Sequence, residues 1–176
     1  MARILLAAVD SKSQVIVAAE LTNQAGDCPH LPELVKATER NLRRKPKSVS
    51  ADAGYFSEAN LAYLKAEGVE GYIPPDKQRH NEPYVQAPRG RMPKGLSLAD
   101  RMRRKLRTKQ GRAEYALRKQ TIEPVFGQIK EARGFRQFLL RGKEKARGEW
   151  LLACTAHNLL KLWTASRQRL APAPSF

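Results

Sequence analysis

The chain has 176 residues, 33 Lys and Arg against 17 Asp and Glu, a formal net charge of +16, and 41% hydrophobic residues. This length suffices for one domain with its own core, and the hydrophobic fraction excludes a wholly disordered basic tail. Two cysteines, Cys28 and Cys154, and no Cys-X-X-Cys pair argue against a disulfide framework or a zinc finger. The apolar residues 4–9 near the start fall far short of a membrane span of about 20 residues, so we expect neither a signal peptide nor a membrane protein.

The positive charge is concentrated in one part of the chain. Residues 75–148 contain 21 Lys and Arg and 7 Asp and Glu, a balance of +14, whereas the remainder is nearly neutral. A run of charge is often only a solvated surface. A threefold excess of cations is more than solubility requires, so we expect a polyanionic partner, namely nucleic acid.

The first half of the chain predicts alternating strands and helices. Two β-rich runs flank a polar turn at Asp10 and predict a hairpin. Leucines at helical spacing predict the first helix, and Ser57 and Gly68 are suitable start and stop signals for the second. The predicted elements are strands over residues 4–9, 14–22, 48–52 and 69–73 and helices over residues 30–43 and 57–68.

The second half predicts a basic insert followed by helices. Residues 74–93 hold five of the 11 prolines, which favours an extended loop. In the last helix, Leu152, Ala156, Leu159 and Trp163 share one stripe, which predicts the side that faces the core. The predicted helices cover residues 96–110, residues 113–120 after an interruption at Gly111, residues from Thr121 to Gly134 with Pro124 in the first turn, and residues 143–166.

Two carboxylates stand where chemistry is plausible, and each also has a structural interpretation. Asp52 ends a predicted strand, where carboxylates of α/β sheets face the ligand crevice, but an Asp before Ala-Gly is equally suited to a turn. Glu123 shares a helix face with Lys130, seven residues on, but a Glu in a first helical turn also stabilises the helix dipole. His157 lies on the same side as Trp150 and is expected to be a hydrogen-bonded core residue.

Several segments resemble, in order, the DDE-type insertion-sequence transposases. Residues 51–57, Ala-Asp-Ala-Gly-Tyr-Phe-Ser, resemble the second-aspartate motif of that family. Residues 115–130 resemble its Tyr/Arg/Glu/Lys signature, with Tyr115, Arg118, Glu123 and Lys130 at the matching positions. Four residues separate Arg118 from Glu123 where the signature has three, so Lys119 is the alternative basic residue. Segments 132–136 and 156–162 resemble the stretches after the signature, and segments 7–10 and 14–17 resemble the hairpin before the second aspartate.

The resemblance implies an α/β, ribonuclease-H-like fold with a basic insert and C-terminal helices. Met1 stands where the second strand of that fold begins, so the first strand and its catalytic aspartate are expected to be missing. Asp10 is then a substitute metal ligand or, more simply, a hairpin residue, and Asp27 is expected only to precede a helix. The expected divisions are residues 1–74 (first part of the core), 75–111 (basic loop and helix), 112–170 (helices completing the core) and 171–176 (a frayed tail).

The implied function is DNA transposition by metal-dependent strand cleavage and transfer. Asp52 and Glu123 would bind two Mg²⁺ ions as the second and third catalytic carboxylates, and this truncated chain is expected to bind DNA without cutting it. The alternatives are a non-enzymatic DNA-binding remnant and a ribonuclease-H-like nuclease. The expected partners are transposon ends and target DNA, and the resemblance also allows a homodimer. We expect no membrane and no small-molecule cofactor, and we expect the protein in the bacterial cytoplasm, associated with the nucleoid. The DNA-binding residues expected from the signature and the basic helix are Arg118, Lys119, Lys130, Arg103, Arg104 and Lys105.

Overall fold

The structure, a computed structural model, describes residues 4–77 and 86–170. The predicted tail 171–176 and the middle of the Pro-rich loop lie outside the described residues. The chain forms two compact units, one of Met1–Gln24 with Thr121–Phe176 and one of Ala25–Gln120. Both contain helices and a small two-stranded sheet, so the predicted mixed α/β class is confirmed at that level.

The unit that contains both chain ends is built on a β-hairpin. Strands β1 (Ile4–Val9) and β2 (Ile16–Thr22) pair antiparallel, as the two β-rich runs predicted, with a register irregularity at Ala8/Val9. The long helix α5 (Lys143–Leu170) packs on β2. The buried core of this unit consists of Ile16, Val125, Ile129, Trp150 and Cys154.

Helix α5 buries a different side from the one that the sequence predicted. The stripe expected in the core is exposed, with Leu152, Leu159 and Trp163 at 70%, 61% and 55% relative exposure. Both sides of the helix carry apolar residues. Only the buried side contains Trp150, whose indole stacks on Phe126, together with polar groups that hydrogen-bond to the hairpin backbone. The buried side of α5 consists of Ala146, Trp150, Cys154 and His157.

Polar side chains of α5 hold the start of β2 by its backbone. Asn158 accepts a hydrogen bond from the Ile16 N–H and donates one to the Ile16 carbonyl, each at 2.8 Å. His157 Nε2 lies 2.9 Å from the Gln14 carbonyl oxygen, so the tautomer with a proton on Nε2 donates a hydrogen bond to that oxygen. The hydrogen-bonded, fully buried role predicted for His157 is therefore confirmed. Part of the motif in residues 156–162 thus serves to attach the hairpin.

The other unit contains a strand–helix–strand crossover. Helix α1 (Leu31–Leu42) follows a short 3₁₀ turn, and strands β3 (Ser48–Ser50) and β4 (Glu70–Tyr72) pair in parallel across helix α2 (Glu58–Ala66). Ser57 caps α2 by accepting a hydrogen bond from the Asn60 N–H at 3.0 Å, as its position before the helix predicted. In the described residues β2 and β3 belong to different two-stranded sheets.

Two basic helices complete this part of the chain. Helix α3 (Leu98–Arg107) buries Met102 and Leu106 against Tyr72. Helix α4 (Lys109–Gly127) then runs from this unit into the other and continues as a π-helical turn, Gln128–Ala132. Gly134 ends the helical segment with a left-handed backbone, φ +66°, as predicted.

Helix α4 corrects the prediction of two helices separated near Gly111 and Thr121. Gly111 lies inside α4, and a Cβ there would stand only 2.1 Å from the Lys105 carbonyl oxygen, so the position accepts only glycine. Pro124 lies in the interior of α4, not in a first turn. The interpretation of Glu123 as a first-turn, dipole-stabilising residue is therefore wrong, since the helix begins 14 residues before it.

Candidate functional site

Asp52 stands just after the end of strand β3, in the turn that leads to α2. It precedes a 3₁₀ turn, Ala53–Tyr55, and its Oδ1 accepts a hydrogen bond from the Gly54 N–H at 3.0 Å. The carboxylate is half-buried, and no described residue donates a hydrogen bond to its second oxygen. The turn interpretation therefore accounts for one oxygen of Asp52 and leaves the other available.

A second carboxylate, which sequence reasoning did not select, lies beside Asp52. A Cβ built on Gly54 would stand 2.8 Å from Oδ2 of Asp27 and 3.1 Å from Oδ1 of Asp52, so both carboxylates face the same backbone position. Asp27 precedes the first 3₁₀ turn, as expected, but its side chain makes no capping hydrogen bond there. The sequence signal was weak, because 24 residues separate the two aspartates. Only the folded chain brings them together.

Two tyrosines, Tyr55 and Tyr115, lie near enough to these carboxylates to be affected by their charge. Burial raises the pKa of Tyr55, and the Asp27 and Asp52 carboxylates raise it further. Burial also raises the pKa of Tyr115 on α4, where Arg118 opposes the shift and Asp52 adds to it. Asp52 and the first two members of the Tyr/Arg/Glu/Lys signature therefore share one electrostatic environment.

Arg118 and Lys119, the two alternatives for the signature cation, differ in burial. The Arg118 guanidinium carbon lies 5.4 Å from the centroid of the Tyr115 ring, and its Nε is buried with no hydrogen-bond partner in the described part of the chain. Lys119 is exposed. Arg118 is thus the cation that contacts a ring of the signature, whereas Lys119 is exposed to solvent.

Glu123 and Lys130 belong to the other unit, where α4 passes into the π-helical turn. Both are exposed, and Lys130 Nζ lies 6.0 Å from the centroid of the Phe126 ring. Within the described residues no cation lies within 4 Å of the Glu123 carboxylate. The assignment of both residues to a catalytic centre stays a prediction.

Asp10 has the structural role that its position predicted. Its Oδ2 accepts hydrogen bonds from the Ser13 N–H at 2.8 Å, the Ser13 hydroxyl at 2.6 Å and the Lys12 N–H at 3.2 Å, which close the hairpin turn. Partial burial opposes ionisation, but these hydrogen bonds outweigh it and lower the pKa of Asp10. This oxygen is fully occupied by the turn.

The three cations expected to contact DNA from α3 have intramolecular partners. Arg103 donates to both oxygens of Asp76, at 2.6 and 3.0 Å, and to Asp100 at 2.7 Å. Lys105 pairs with Glu70, donates to the Gly71 carbonyl at 2.7 Å and lies 4.2 Å from the Tyr72 ring centroid.

Arg104, the third of these cations, reaches the loop that precedes α3. Its Nη2 donates to the carbonyl oxygens of Arg89 at 2.7 Å and Gly90 at 3.1 Å. Carbonyl groups satisfy its donors without neutralising its charge. The three side chains therefore attach α3 to its own unit, and their role in DNA binding stays a prediction.

The donor set next to Asp52 suits a hard cation. Mg²⁺ prefers oxygen ligands and is commonly held by one or two carboxylates together with waters and substrate phosphates. Asp27 and Asp52 provide two such carboxylates at one position. In the described ranges no three His, Cys, Asp or Glu side chains form a ready-made metal site. The residues present fit a magnesium ion that completes its coordination with water and phosphate.

Comparison with known proteins gives the family. The family model described as "Transposase DDE domain" matches residues 1–159, so the chain belongs to the DDE transposase family, as the motifs predicted. Members of this family are enzymes of DNA transposition and recombination that act on DNA and use divalent metal ions. No curated protein and no solved structure matches the chain. Among the described helices, none combines the length and apolar character needed to span a bilayer.

Proposed function

We propose that this chain is the catalytic part of a transposase, in which Asp52 and Glu123 supply metal-binding carboxylates for DNA strand cleavage and transfer on a ribonuclease-H-like core. The observation that carries the proposal is the position of Asp52. It stands at the end of a strand, is held through one oxygen by the Gly54 N–H, and faces the same point as Asp27. Tyr115 and Arg118 of the family signature share that environment.

Each residue has a defined task in this proposal. The Gly54 hydrogen bond orients the Asp52 carboxylate through Oδ1, and its second oxygen is the one that would bind a metal ion. Asp27 adds a second negative charge, which strengthens the attraction of a divalent cation. Arg118, with its guanidinium positioned by the Tyr115 ring, and the exposed Lys130 bind phosphodiester oxygens, with Lys119 as the exposed alternative to Arg118.

Divalent ions bound by these carboxylates supply the chemistry typical of two-metal sites, activation of a water or a 3′-hydroxyl and stabilisation of the leaving oxygen. The protein's own contribution is charge and position. Two carboxylates without a cation between them repel each other, so the pair next to Gly54 gains from a ligand that neutralises it. The remaining carboxylate, Glu123, is exposed and unpaired in the described part of the chain, so it can bind an ion without first breaking an ion pair.

Metal-directed backbone cleavage tests this assignment without requiring that the chain cut DNA. Fe²⁺ substitutes for Mg²⁺ and, with ascorbate and peroxide, generates hydroxyl radicals that cut the polypeptide close to the metal ligands. In the full chain we expect cuts near residues 27, 52 and 123 that excess Mg²⁺ suppresses. Asp52→Asn should remove the cuts at all three places if one centre is shared.

The controls separate the carboxylates from each other. Asp10→Asn alters a carboxylate whose Oδ2 closes the hairpin turn and which is not part of the proposed centre, so its cleavage pattern should equal that of the unmodified chain. If the cuts near residues 27 and 52 persist in Glu123→Gln and no variant is cut near residue 123, Glu123 is not a ligand of this metal centre. Cuts scattered over the chain and insensitive to Asp52→Asn would overturn the proposal.

A further inference from the structure

A cleft in the unit built on the hairpin lies between two segments, 132–136 and 156–162, to which the catalytic proposal assigns no role. It is bounded by the π-helical turn and the residue after it on one side and by the C-terminal half of α5 on the other. Its volume of about 510 Å³ lies within the usual range of ligand pockets, roughly 300–1,000 Å³. The lining residues are Gln128, Ala132, Arg133, Leu160, Lys161 and Thr164.

The cleft carries two positive charges and no negative one. Arg133 and Lys161 are both half-buried, and neither has a carboxylate within 4 Å in the described part of the chain. Lys161 Nζ donates to the Gln14 side-chain oxygen at 2.7 Å, which fixes the ammonium and leaves its other two hydrogens as donors. By contrast Arg136, three residues after Arg133, is neutralised by Glu131.

A buried histidine lies near both charges. Burial lowers the pKa of His157, the hydrogen bond to the Gln14 carbonyl opposes this, and the positive charges of Arg133 and Lys161 add to the lowering. His157 Nδ1 is buried without a hydrogen-bond partner, while Nε2 is directed to the Gln14 carbonyl oxygen. The two cations are therefore close enough to act on one neutral ring, and a bound anion would relieve their mutual repulsion.

We propose that this cleft binds one phosphodiester group of the DNA backbone, with Arg133 and Lys161 as its cationic ligands. The inference rests on the proposed function only in taking DNA as the source of the phosphate. A guanidinium matches two phosphate oxygens at once, and an ammonium provides a point charge beside it. Gln128 and Thr164 add neutral hydrogen-bonding groups, and Leu160 with Ala132 offers an apolar surface for an adjoining deoxyribose. Arg133 and Lys161 thus add a DNA contact to those of the family signature.

Titration of the full chain with small probes in EDTA tests the proposal by NMR. The probes are the dinucleotide d(TpT), its uncharged methylphosphonate analogue, and inorganic phosphate. We expect d(TpT) to shift the amide signals of Arg133 and Thr164 in a saturable way. The methylphosphonate analogue should bind at least about tenfold more weakly, because the charge-assisted hydrogen bonds are lost. Inorganic phosphate should bind more weakly than d(TpT), since it lacks the sugars.

Matched variants separate the cleft from general basicity. Arg133→Gln should weaken d(TpT) about tenfold or more, whereas Arg136→Gln removes the same charge from an ion-paired site and should leave the affinity unchanged. Lys161→Gln removes the second positive charge and should also weaken d(TpT) binding. If that variant fails to fold, Lys161→Arg, which keeps the charge, should retain binding. Equal binding of d(TpT) and the methylphosphonate, tighter binding of inorganic phosphate than of d(TpT), or no effect of Arg133→Gln would overturn the proposal. Because no metal is present, these outcomes are independent of the Fe²⁺ cleavage at Asp52.

Discussion

The salt dependence of DNA binding should distinguish the two sets of cations around α3. One set, Arg101, Arg107 and Lys109, is exposed and has no carboxylate partner in the described residues. Each such cation that contacts a phosphate releases about 0.9 counterion from duplex DNA. Replacing all three with Gln should therefore reduce the slope of log affinity against log salt by up to about 2.7.

The other set, which the sequence favoured, should contribute less. Arg103 is neutralised by Asp76 and Asp100, and Lys105 is neutralised by Glu70. A cation that already has a carboxylate must break that pair before it can displace a counterion from DNA. Only Arg104, whose partners are uncharged carbonyl groups, keeps a free charge. The Gln variant of Arg103, Arg104 and Lys105 should thus reduce the slope by at most about 1.

Fluorescence anisotropy with a labelled duplex, measured in EDTA over a series of KCl concentrations, gives both slopes. Urea unfolding of each variant checks that α3 remains attached, because the set at 103–105 also holds this helix to its unit. A reduction of about 3 from the triple variant at 103–105, with no change from the exposed set, would refute the reasoning. It would mean that the ion pairs open when DNA binds and that the sequence-based choice of residues was correct.

Three further predictions concern stability and the carboxylate pair. Trp150→Ala removes a fully buried indole that donates to the Leu6 carbonyl at 3.3 Å, and it should cost about 3–5 kcal/mol in urea unfolding. Gly54→Ala places a methyl group 2.8 Å from Asp27 Oδ2 and 3.1 Å from Asp52 Oδ1, so it should weaken Fe²⁺ binding, measured by metal-directed cleavage, about tenfold or more. Folding lowers the pKa of Asp10, so the stability that this residue contributes is complete above its unfolded pKa of about 4. That stability is lost as the pH falls through the lower folded value. Asp10→Asn should therefore reduce the difference between the urea midpoints of unfolding at neutral and at strongly acidic pH.

Each of these predictions has a matched control on the same chain. Trp163→Ala changes the same residue type at an exposed position of α5 and should alter stability by less than about 0.5 kcal/mol. Gly148→Ala adds a methyl group with no neighbour within 4 Å and should leave Fe²⁺ cleavage unchanged. Equal losses in both tryptophan variants, or in both glycine variants, would contradict the burial and contact arguments. An unchanged pH dependence in Asp10→Asn would show that its hydrogen bonds to Ser13 do not contribute to stability.

Features that depend on local chemistry could be predicted from the order of the residues. The hairpin follows from two β-rich runs around a polar turn, and the start of α2 follows from the cap at Ser57. The family follows from short motifs around Asp52 and Glu123, whose residue types and order can be read without coordinates. These features need only interactions between residues near in sequence, so a linear pattern contains enough information to predict them.

Which surfaces and side chains meet could be known only from the folded chain. Helix α5 has apolar residues on more than one side, and packing on the hairpin buried Trp150 and left Leu152 exposed. The proximity of Asp27 to Asp52, and the pairing of Arg103 with Asp76, join residues that are more than 20 positions apart. Such contacts depend on how the whole backbone is arranged in space, because the free energy of burial and of ion pairing is gained only where separate elements come into contact.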